Sequence, residues 1–181
     1  MKRSAWLASL CVLGVAACAT DGDGERAGAV STELRAADGR PMGLASVTQE
    51  AGGVRVRITS TALPPGTHGA HLHSTGQCVA PDFTGAGPHW NPAGRRHGSE
   101  SPQGPHLGDL PNLVVGADGR GLVEYLIPGA QLEEGGQRLL DGDGAAMVIH
   151  SAADDYRTDP SGNSGARIAC GVLMPVGLDN F

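Results

Sequence analysis

The residues in this chain with the clearest chemical potential are its histidines. All seven lie between positions 68 and 150. His71 and His73 form an H-x-H pair in a strand-like segment, and alternate residues of a strand point to one face, so both imidazoles can reach the same ion. One such pair is a weak signal, because a single histidine is more often a hydrogen-bonded structural residue than a ligand. The spacing of the whole set favours a metal site.

The other histidines follow in short segments of the sequence. These segments are 87–92 (GPHWNP), 97–98 (HG), 106–110 (HLGDL) and 148–150 (VIH). Imidazole suits both copper and zinc, and three imidazoles with one carboxylate make an ordinary closed zinc shell. A copper site made only of histidines, without a thiolate, can serve both oxidation states of that metal.

Four segments together resemble the copper/zinc superoxide dismutase family, in the order of their motifs and in their spacing. They are residues 69–73 (GAHLH), 87–92 (GPHWNP), 106–109 (HLGD) and 162–171 (GNSGARIACG). The resemblance covers the chain from residue 29 onward. It implies an enzyme that disproportionates superoxide to O2 and H2O2 by copper redox cycling, with zinc in a structural and electrostatic role.

The resemblance also implies the ligands of one copper and one zinc per chain. Copper would be bound by His71, His73, His89 and His150, and zinc by His89, His97, His106 and Asp109. His89 would therefore be a deprotonated imidazolate that bridges the two metals and takes part in catalysis.

Three further positions match residues that surround the metals in this family. Asp154 matches a carboxylate that accepts hydrogen bonds from one copper histidine and one zinc histidine, which fixes their ring orientation. Arg167, three residues before Cys170, matches an arginine whose positive charge docks superoxide beside copper. His68 matches a structural histidine that binds backbone, and we do not expect it to be a ligand.

The N-terminus reads as an export signal. Lys2 and Arg3 precede a short apolar stretch that ends Val15-Ala16-Ala17-Cys18, and this ending resembles the lipobox of bacterial lipoproteins. We expect a signal peptide over 1–17, lipidation of Cys18 and a flexible tether over 18–28. The protein would then be anchored to a bacterial membrane at its periplasmic or cell-surface face. The alternative is an ordinary secretory signal and a soluble periplasmic or secreted protein.

Two cysteines remain for the exported domain. Cys11 lies within the signal and Cys18 at the cleavage point, which leaves Cys78 and Cys170. A lone pair of cysteines in an exported domain usually forms a disulfide, so we expect this bond here.

The charge balance excludes one class of partner. Thirteen basic side chains oppose 19 acidic ones, for a net charge of −6; loss of Lys2 and Arg3 with the signal takes it to about −8 and leaves no lysine. Nucleic acid, which requires a basic face, is therefore not an expected partner. The acidity also opposes superoxide at long range. Family members often carry lysines in the second long loop, whereas here that loop offers only Arg157.

The sequence predicts that one all-β domain over 29–181 positions these residues. Eight short apolar or alternating segments predict strands, and Asp118-Gly119 favours a hairpin turn. Long polar stretches over 74–108 and 151–165 are uncommon unless they are functional. We expect an eight-stranded antiparallel Greek-key β-sandwich or barrel with two long functional loops.

Two other functions fit the sequence less well. The first is a β-domain that binds or buffers metal without dismutase activity, and the second is a purely structural sandwich at the cell surface. The complete ligand set argues against both, and Arg167 argues against the first. A homodimer is possible, but the sequence leaves the oligomeric state open.

Overall fold

The computed structural model describes residues 28–175. Its nine strands are β1 (Ala29–Arg35), β2 (Pro41–Glu50), β3 (Gly53–Ser60), β4 (Gly66–His68), β5 (Ala70–His73), β6 (Leu113–Val115), β7 (Gly121–Pro128), β8 (Ala145–His150) and β9 (Arg167–Leu173). The described residues include one short 3-10 helix, Thr84–Ala86. None of their helices has the length and apolarity needed to cross a membrane. The signal peptide and the lipidated Cys18 lie outside the described residues.

The strands form an antiparallel fold, as the sequence predicts. Seven of them make one sheet in the order β5-β8-β9-β1-β2-β3-β7, and β4 pairs with β6 in a second, two-stranded sheet. All eight predicted strands are present. The ninth strand, β4, is not predicted because its three residues, GTH, form neither an apolar run nor an alternating pattern, whereas the equally short β6 is the apolar run LVV.

Alternation along the strands builds one main core. On β3, Val54, Val56 and Ile58 are fully buried, while Arg55 and Arg57 between them face outward. Burial of each such apolar side chain contributes roughly 1.5–3 kcal/mol relative to exposure. The inward residues of the other strands join the same cluster, so the sheet wraps around a single interior.

Strand β8 is buried on both faces, unlike β3. Met147 and Ile149 point into the main core, whereas Ala146 and Val148 pack in a second cluster with Phe83 from the long loop after β5. A strand that is covered on both faces has a continuous run of apolar residues, and the sequence of β8, AAMVIH, has such a run before its final histidine. Strand β8 therefore gives its last residue, His150, a rigid support.

Three long connections lie over the sheet. The sequence predicts those after β5 and after β8, and the structure adds a third between β7 and β8, residues 129–144. The first two are joined to each other, since the Glu100 N–H donates to Tyr156 O at 3.0 Å. Gly98 makes this approach possible: it has φ +95°, and a Cβ there would lie 1.9 Å from Tyr156 O.

Candidate metal centre

The first histidine cluster is built on two paired strands. On β5, Ala70 and Leu72 enter the core, which places His71 and His73 on the opposite face. Strand β8 pairs antiparallel with β5 and ends at His150, whose ring centroid lies 4.8 Å from that of His71. All three imidazoles are buried.

His89 joins this cluster from the long loop after β5. It forms an isolated β-bridge with His73, and its ring centroid lies 4.0 Å from His71 and 4.9 Å from His73. One nitrogen from each of these residues and from His150 can be chosen so that all four lie within 4.8 Å of one another. The four residues expected at copper are therefore brought together.

Asp109 organises the second cluster. Its Oδ1 lies 2.9 Å from Nδ1 of His89, 3.1 Å from Nδ1 of His97 and 3.2 Å from Nδ1 of His106. Its Oδ2 instead accepts the backbone N–H groups of Gly98 and His106. A tetrahedral zinc shell with bonds of about 2.0–2.1 Å has edges of about 3.3 Å, which is close to these three distances.

Six buried imidazole nitrogens lack any hydrogen-bond partner among the described residues. They are Nδ1 of His71, His97 and His106, and Nε2 of His73, His89 and His150. Buried polar atoms are nearly always hydrogen-bonded, and an unsatisfied one costs about 1–3 kcal/mol. Unpartnered imidazole nitrogens are the donors that copper and zinc take, so the residues fit these two ions.

A second combination of close donor atoms places His71, rather than His106, with His89, His97 and Asp109. The contacts of the two rings favour His106. The Nε2 of His71 is already bound to a carboxylate, and its Nδ1 belongs to the first cluster. His106 Nδ1 is buried, unpartnered and 3.2 Å from Asp109 Oδ1.

Asp154 links the two clusters. Its Oδ2 accepts a hydrogen bond from His71 Nε2 at 2.7 Å, and its Oδ1 accepts one from His97 Nε2 at 2.9 Å. Burial raises the pKa of this carboxyl, but the hydrogen bonds from the two imidazoles outweigh burial and hold its pKa well below the usual range. It is an ionised acceptor that fixes which nitrogen of each ring faces the metal position.

Backbone carbonyls orient two more rings. His73 donates from Nδ1 to Gly87 O at 2.8 Å, and His150 donates from Nδ1 to Gly165 O at 3.2 Å. In each case the opposite nitrogen, Nε2, is left for an ion.

Three of the buried rings are held neutral. Burial, with the neighbouring imidazoles, lowers the pKa of His73 to about 2, of His150 to about 3 and of His89 to about 4. Burial also lowers the pKa of His97, but the negative charges of the adjacent Asp109 and Asp154 outweigh burial and raise this pKa to about 9. Neutral imidazole is the form that binds metal, so His73, His89 and His150 present Nε2 to the first cluster without a proton to displace.

His68 is not part of either cluster. Its Nδ1 lies 2.7 Å from His150 O and its Nε2 lies 2.9 Å from Pro64 O. Both ring nitrogens are occupied by backbone carbonyls, which agrees with the structural role that the sequence predicts.

Arg167 and the disulfide lie next to each other. Cys78 and Cys170 are bonded, with their Cα atoms 5.6 Å apart. The Arg167 guanidinium donates from Nη1 to Phe83 O at 2.7 Å and from Nη2 to Gly87 O at 2.8 Å. The disulfide therefore ties to β9 the same loop whose carbonyls hold the guanidinium.

Two residues that sequence reasoning missed fix the backbone of Asp154. The Asn112 side chain donates to Asp154 O at 2.9 Å and accepts the Asp154 N–H at 2.8 Å. The Tyr156 hydroxyl accepts the N–H of Asn112 at 2.8 Å. Asn112 precedes Asp154 by 42 residues and belongs to no histidine segment, so the sequence offers no signal for it.

An open cavity of about 950 Å³ leads to both clusters, and it is called the site cavity below. His89, His106, His150 and Arg167 line it. Arg157, the one cation expected in the loop after β8, does not line it and instead pairs with Glu100.

The chain is similar in sequence and in structure to copper/zinc superoxide dismutases and to superoxide dismutase-like proteins. The family model for copper/zinc superoxide dismutase matches residues 42–173. The superoxide dismutase-like protein YojM of Bacillus subtilis is 45% identical over 140 residues, which cover 76% of this chain and 71% of that protein. Superoxide dismutase [Cu-Zn] 2 of Aquifex aeolicus is 41% identical over 143 residues, covering 78% and 84% of the two chains. The crystal structure of a SOD-like protein from Bacillus subtilis, 43% identical, matches with a TM-score of 0.75 over 80% of this chain and 97% of that one.

Proposed function

This chain belongs to the copper/zinc superoxide dismutase family, and we propose that it disproportionates superoxide with one copper and one zinc per chain. The observation that carries the proposal is the set of six buried, unpartnered imidazole nitrogens. They converge at two positions that share His89, and the second position is completed by Asp109 Oδ1.

The proposal assigns every donor atom to one ion. Copper would be held by Nδ1 of His71 and Nε2 of His73, His89 and His150; zinc would be held by Nδ1 of His89, His97 and His106 and by Oδ1 of Asp109. Bound copper supplies the one-electron couple for both halves of the reaction, while bound zinc supplies positive charge beside His89. Asp154 holds one ring of each set in place.

The reaction consumes two protons, since two superoxide anions and two protons give one O2 and one H2O2. His89 is the residue placed to carry one of them. Its Nδ1 faces Asp109 Oδ1 at 2.9 Å, on the side assigned to zinc. Its Nε2, on the side assigned to copper, would hold a proton only while it does not bind copper, and would release that proton toward the site cavity.

Arg167 would position the anion. Its guanidinium lines the same cavity as His89 and His150, and two carbonyls fix its orientation. A fixed positive charge beside the reacting position attracts a small anion and requires no reorganisation during the reaction.

Metal analysis combined with a dismutase assay tests the proposal. The exported protein, loaded with both metals, should contain one copper and one zinc per chain and should dismutate superoxide, and removal of the metals with a chelator should abolish the activity. Only one metal per chain after full loading would contradict the two-ion assignment. Two metals without activity would instead indicate the metal-binding function, and no metal at all would indicate a structural domain.

We also propose that the protein is exported and is anchored by lipid at Cys18, on the periplasmic or cell-surface face of a bacterial membrane. The disulfide between Cys78 and Cys170 supports an oxidising compartment. The N-terminal sequence up to Cys18 supports the anchor. A soluble periplasmic or secreted protein is the alternative.

A further inference from the structure

The arginines of this protein fall into two groups. Ten lie in the part of the chain that the structure describes, and seven of these are within 4.0 Å of a carboxylate oxygen. Within residues 28–175, the three without such a contact are Arg95, Arg138 and Arg167. None of the three therefore forms an ion pair with a described carboxylate, although Asp82 acts on Arg167 from a longer distance.

All three of these arginines line the site cavity, together with His89 and His150. Two acidic residues, Asp141 and Asp159, line it as well. Asp159 is engaged elsewhere, since its Oδ1 accepts the N–H of His97 at 2.7 Å and its Oδ2 lies 3.9 Å from Arg96. Three arginines against two aspartates give the cavity a local positive excess in a chain whose net charge is −6.

Consecutive residues after His89 hold the backbone at both of the other arginines. The indole N–H of Trp90 donates to Arg138 O at 3.2 Å. Asn91 accepts the Arg95 N–H at 2.9 Å and donates to Arg95 O at 2.8 Å. These bonds use the backbone and leave both exposed guanidinium groups at the cavity.

We propose that Arg95 and Arg138 act with Arg167 as a cationic entrance that attracts small monovalent anions to the metal centre. The two residues come from the loop after β5 and from the loop between β7 and β8, not from the loop after β8. The identity of the anion as superoxide rests on the proposed function.

The entrance acts at short range, where it opposes the acidity of the whole chain. In water, a unit charge about 10 Å away changes the local concentration of a monovalent anion by about twofold. Charges separated by more than about 8–10 Å are largely screened at physiological salt. Two cavity arginines should therefore outweigh the dispersed acidic surface for an anion that has reached the cavity.

The test compares two double variants with the same change in net charge. Arg95→Gln/Arg138→Gln removes the entrance charges, and Arg55→Gln/Arg57→Gln removes two arginines of β3 that pair with Glu50 and Glu124 and do not line the cavity. The readouts are the second-order rate with superoxide and the affinity of the copper-loaded protein for azide, followed by absorption. Copper content is matched by metal analysis.

At roughly 10 mM salt, we expect the Arg95→Gln/Arg138→Gln variant to lose about three- to tenfold in both the second-order rate and the azide affinity. Near 1 M salt, where the screening length is about 3 Å, it should match wild type in both. The β3 variant should stay within about twofold of wild type throughout. Equal losses in the two double variants would overturn the proposal.

A charge-preserving variant separates charge from structure. Arg95→Lys/Arg138→Lys should keep most of the rate and of the azide affinity, and a loss as large as that of the Gln variant would overturn the proposal. The azide titration also keeps this test separate from the proposed function. A wild-type protein that binds azide but does not dismutate superoxide would refute the dismutase assignment and leave the entrance to be judged by azide affinity alone.

Discussion

His71 offers Nδ1 to the first cluster, whereas His73 and His150 offer Nε2. The choice is made by the partner on the opposite side of each ring: a carboxylate for His71 and a backbone carbonyl for the other two. A ring nitrogen that donates to an oxygen carries the hydrogen, which leaves the second nitrogen as a lone-pair donor. The protein therefore selects the metal-binding tautomer of each histidine before any ion arrives.

At the scale of single residues, the Arg167→Ile variant tests whether Arg167 docks superoxide beside copper. It should leave both metals bound but lower the second-order rate with superoxide about tenfold, equivalent to about 1.4 kcal/mol of transition-state stabilisation. The physical reason is loss of a fixed positive charge that lines the site cavity and forms no ion pair with a described carboxylate. Stopped-flow or pulse-radiolysis rates at matched copper content would measure it.

Arg167→Glu should be slower still, because it places a negative charge where the anion must arrive. Arg57→Gln, on the outer face of β3, is the control for a change in net charge. An Ile variant as fast as wild type at equal copper content would show that Arg167 has no part in docking.

Gly162 is a second residue with a specific expected effect. It has φ +64°, and a Cβ there would lie 1.8 Å from Asp154 Oδ1 and 2.7 Å from His97 Nε2. Gly162→Ala should therefore displace the carboxylate from His97 and weaken zinc binding by roughly 10- to 100-fold, the usual cost of losing a group that orients a ligand. Competition with a zinc chelator would measure the affinity.

Gly129→Ala is a matched control for the strain of this backbone conformation. Gly129 has φ +71°, but no atom lies within 4 Å of the position its Cβ would take. It should cost about 1–2 kcal/mol of stability and leave zinc affinity unchanged. Equal zinc affinity in both variants would count against the role given to Asp154.

At the scale of elements, strands were more predictable than loops. Strand β3 alternates strictly and β8 is continuously apolar, so both patterns follow from what covers their faces. The candidate ligands and Asp154 could be named because they match positions of a known family, within the segments that resemble it or between them. Asn112, Arg95 and Arg138 could not, since their positions depend on contacts between loops that are distant in sequence and carry no periodic pattern.

The disulfide is the element-scale feature that joins a loop to a strand. Cys170→Ser should lower the stability of the metal-free protein by about 2–4 kcal/mol, because the bond closes a loop with a sequence separation of 92. Urea unfolding of the oxidised protein and the variant would measure the difference.

The same variant should loosen the carbonyls of Phe83 and Gly87 that hold Arg167. Cys78→Ser/Cys170→Ser is the control for effects of a leftover thiol and should match the single variant. Mass spectrometry that found two free thiols in the exported protein would contradict the pairing.

At the scale of the whole molecule, the net charge of −6 and the cationic cavity have opposite effects on an approaching anion. Repulsion is spread over the surface and is screened by salt, whereas attraction is concentrated at the opening of one cavity. Overall acidity therefore need not slow a reaction with an anionic substrate.

The proposed anchor also concerns the whole molecule. If Cys18 carries lipid, the protein should sediment with membranes and partition into the detergent phase, and Cys18→Ala should abolish both behaviours. Cys11→Ala, within the proposed signal, is the control and should leave partitioning unchanged. Wild-type protein recovered entirely in the soluble periplasmic fraction or in the medium would favour the plain secretory signal.

The segment formed by His89, Trp90 and Asn91 has a mechanical consequence. Its backbone is bonded to β5 through the Trp90 N–H and Leu72 O at 2.8 Å, and the same three residues carry the shared imidazole and hold Arg138 and Arg95. A thermal displacement of the segment therefore moves the imidazole and the two anchoring points together. Such correlated motion preserves the spacing between the His89 imidazole and the backbone at Arg95 and Arg138. A fluctuation of the segment should therefore change the distance from this imidazole to the two entrance arginines less than it would if they belonged to independent loops.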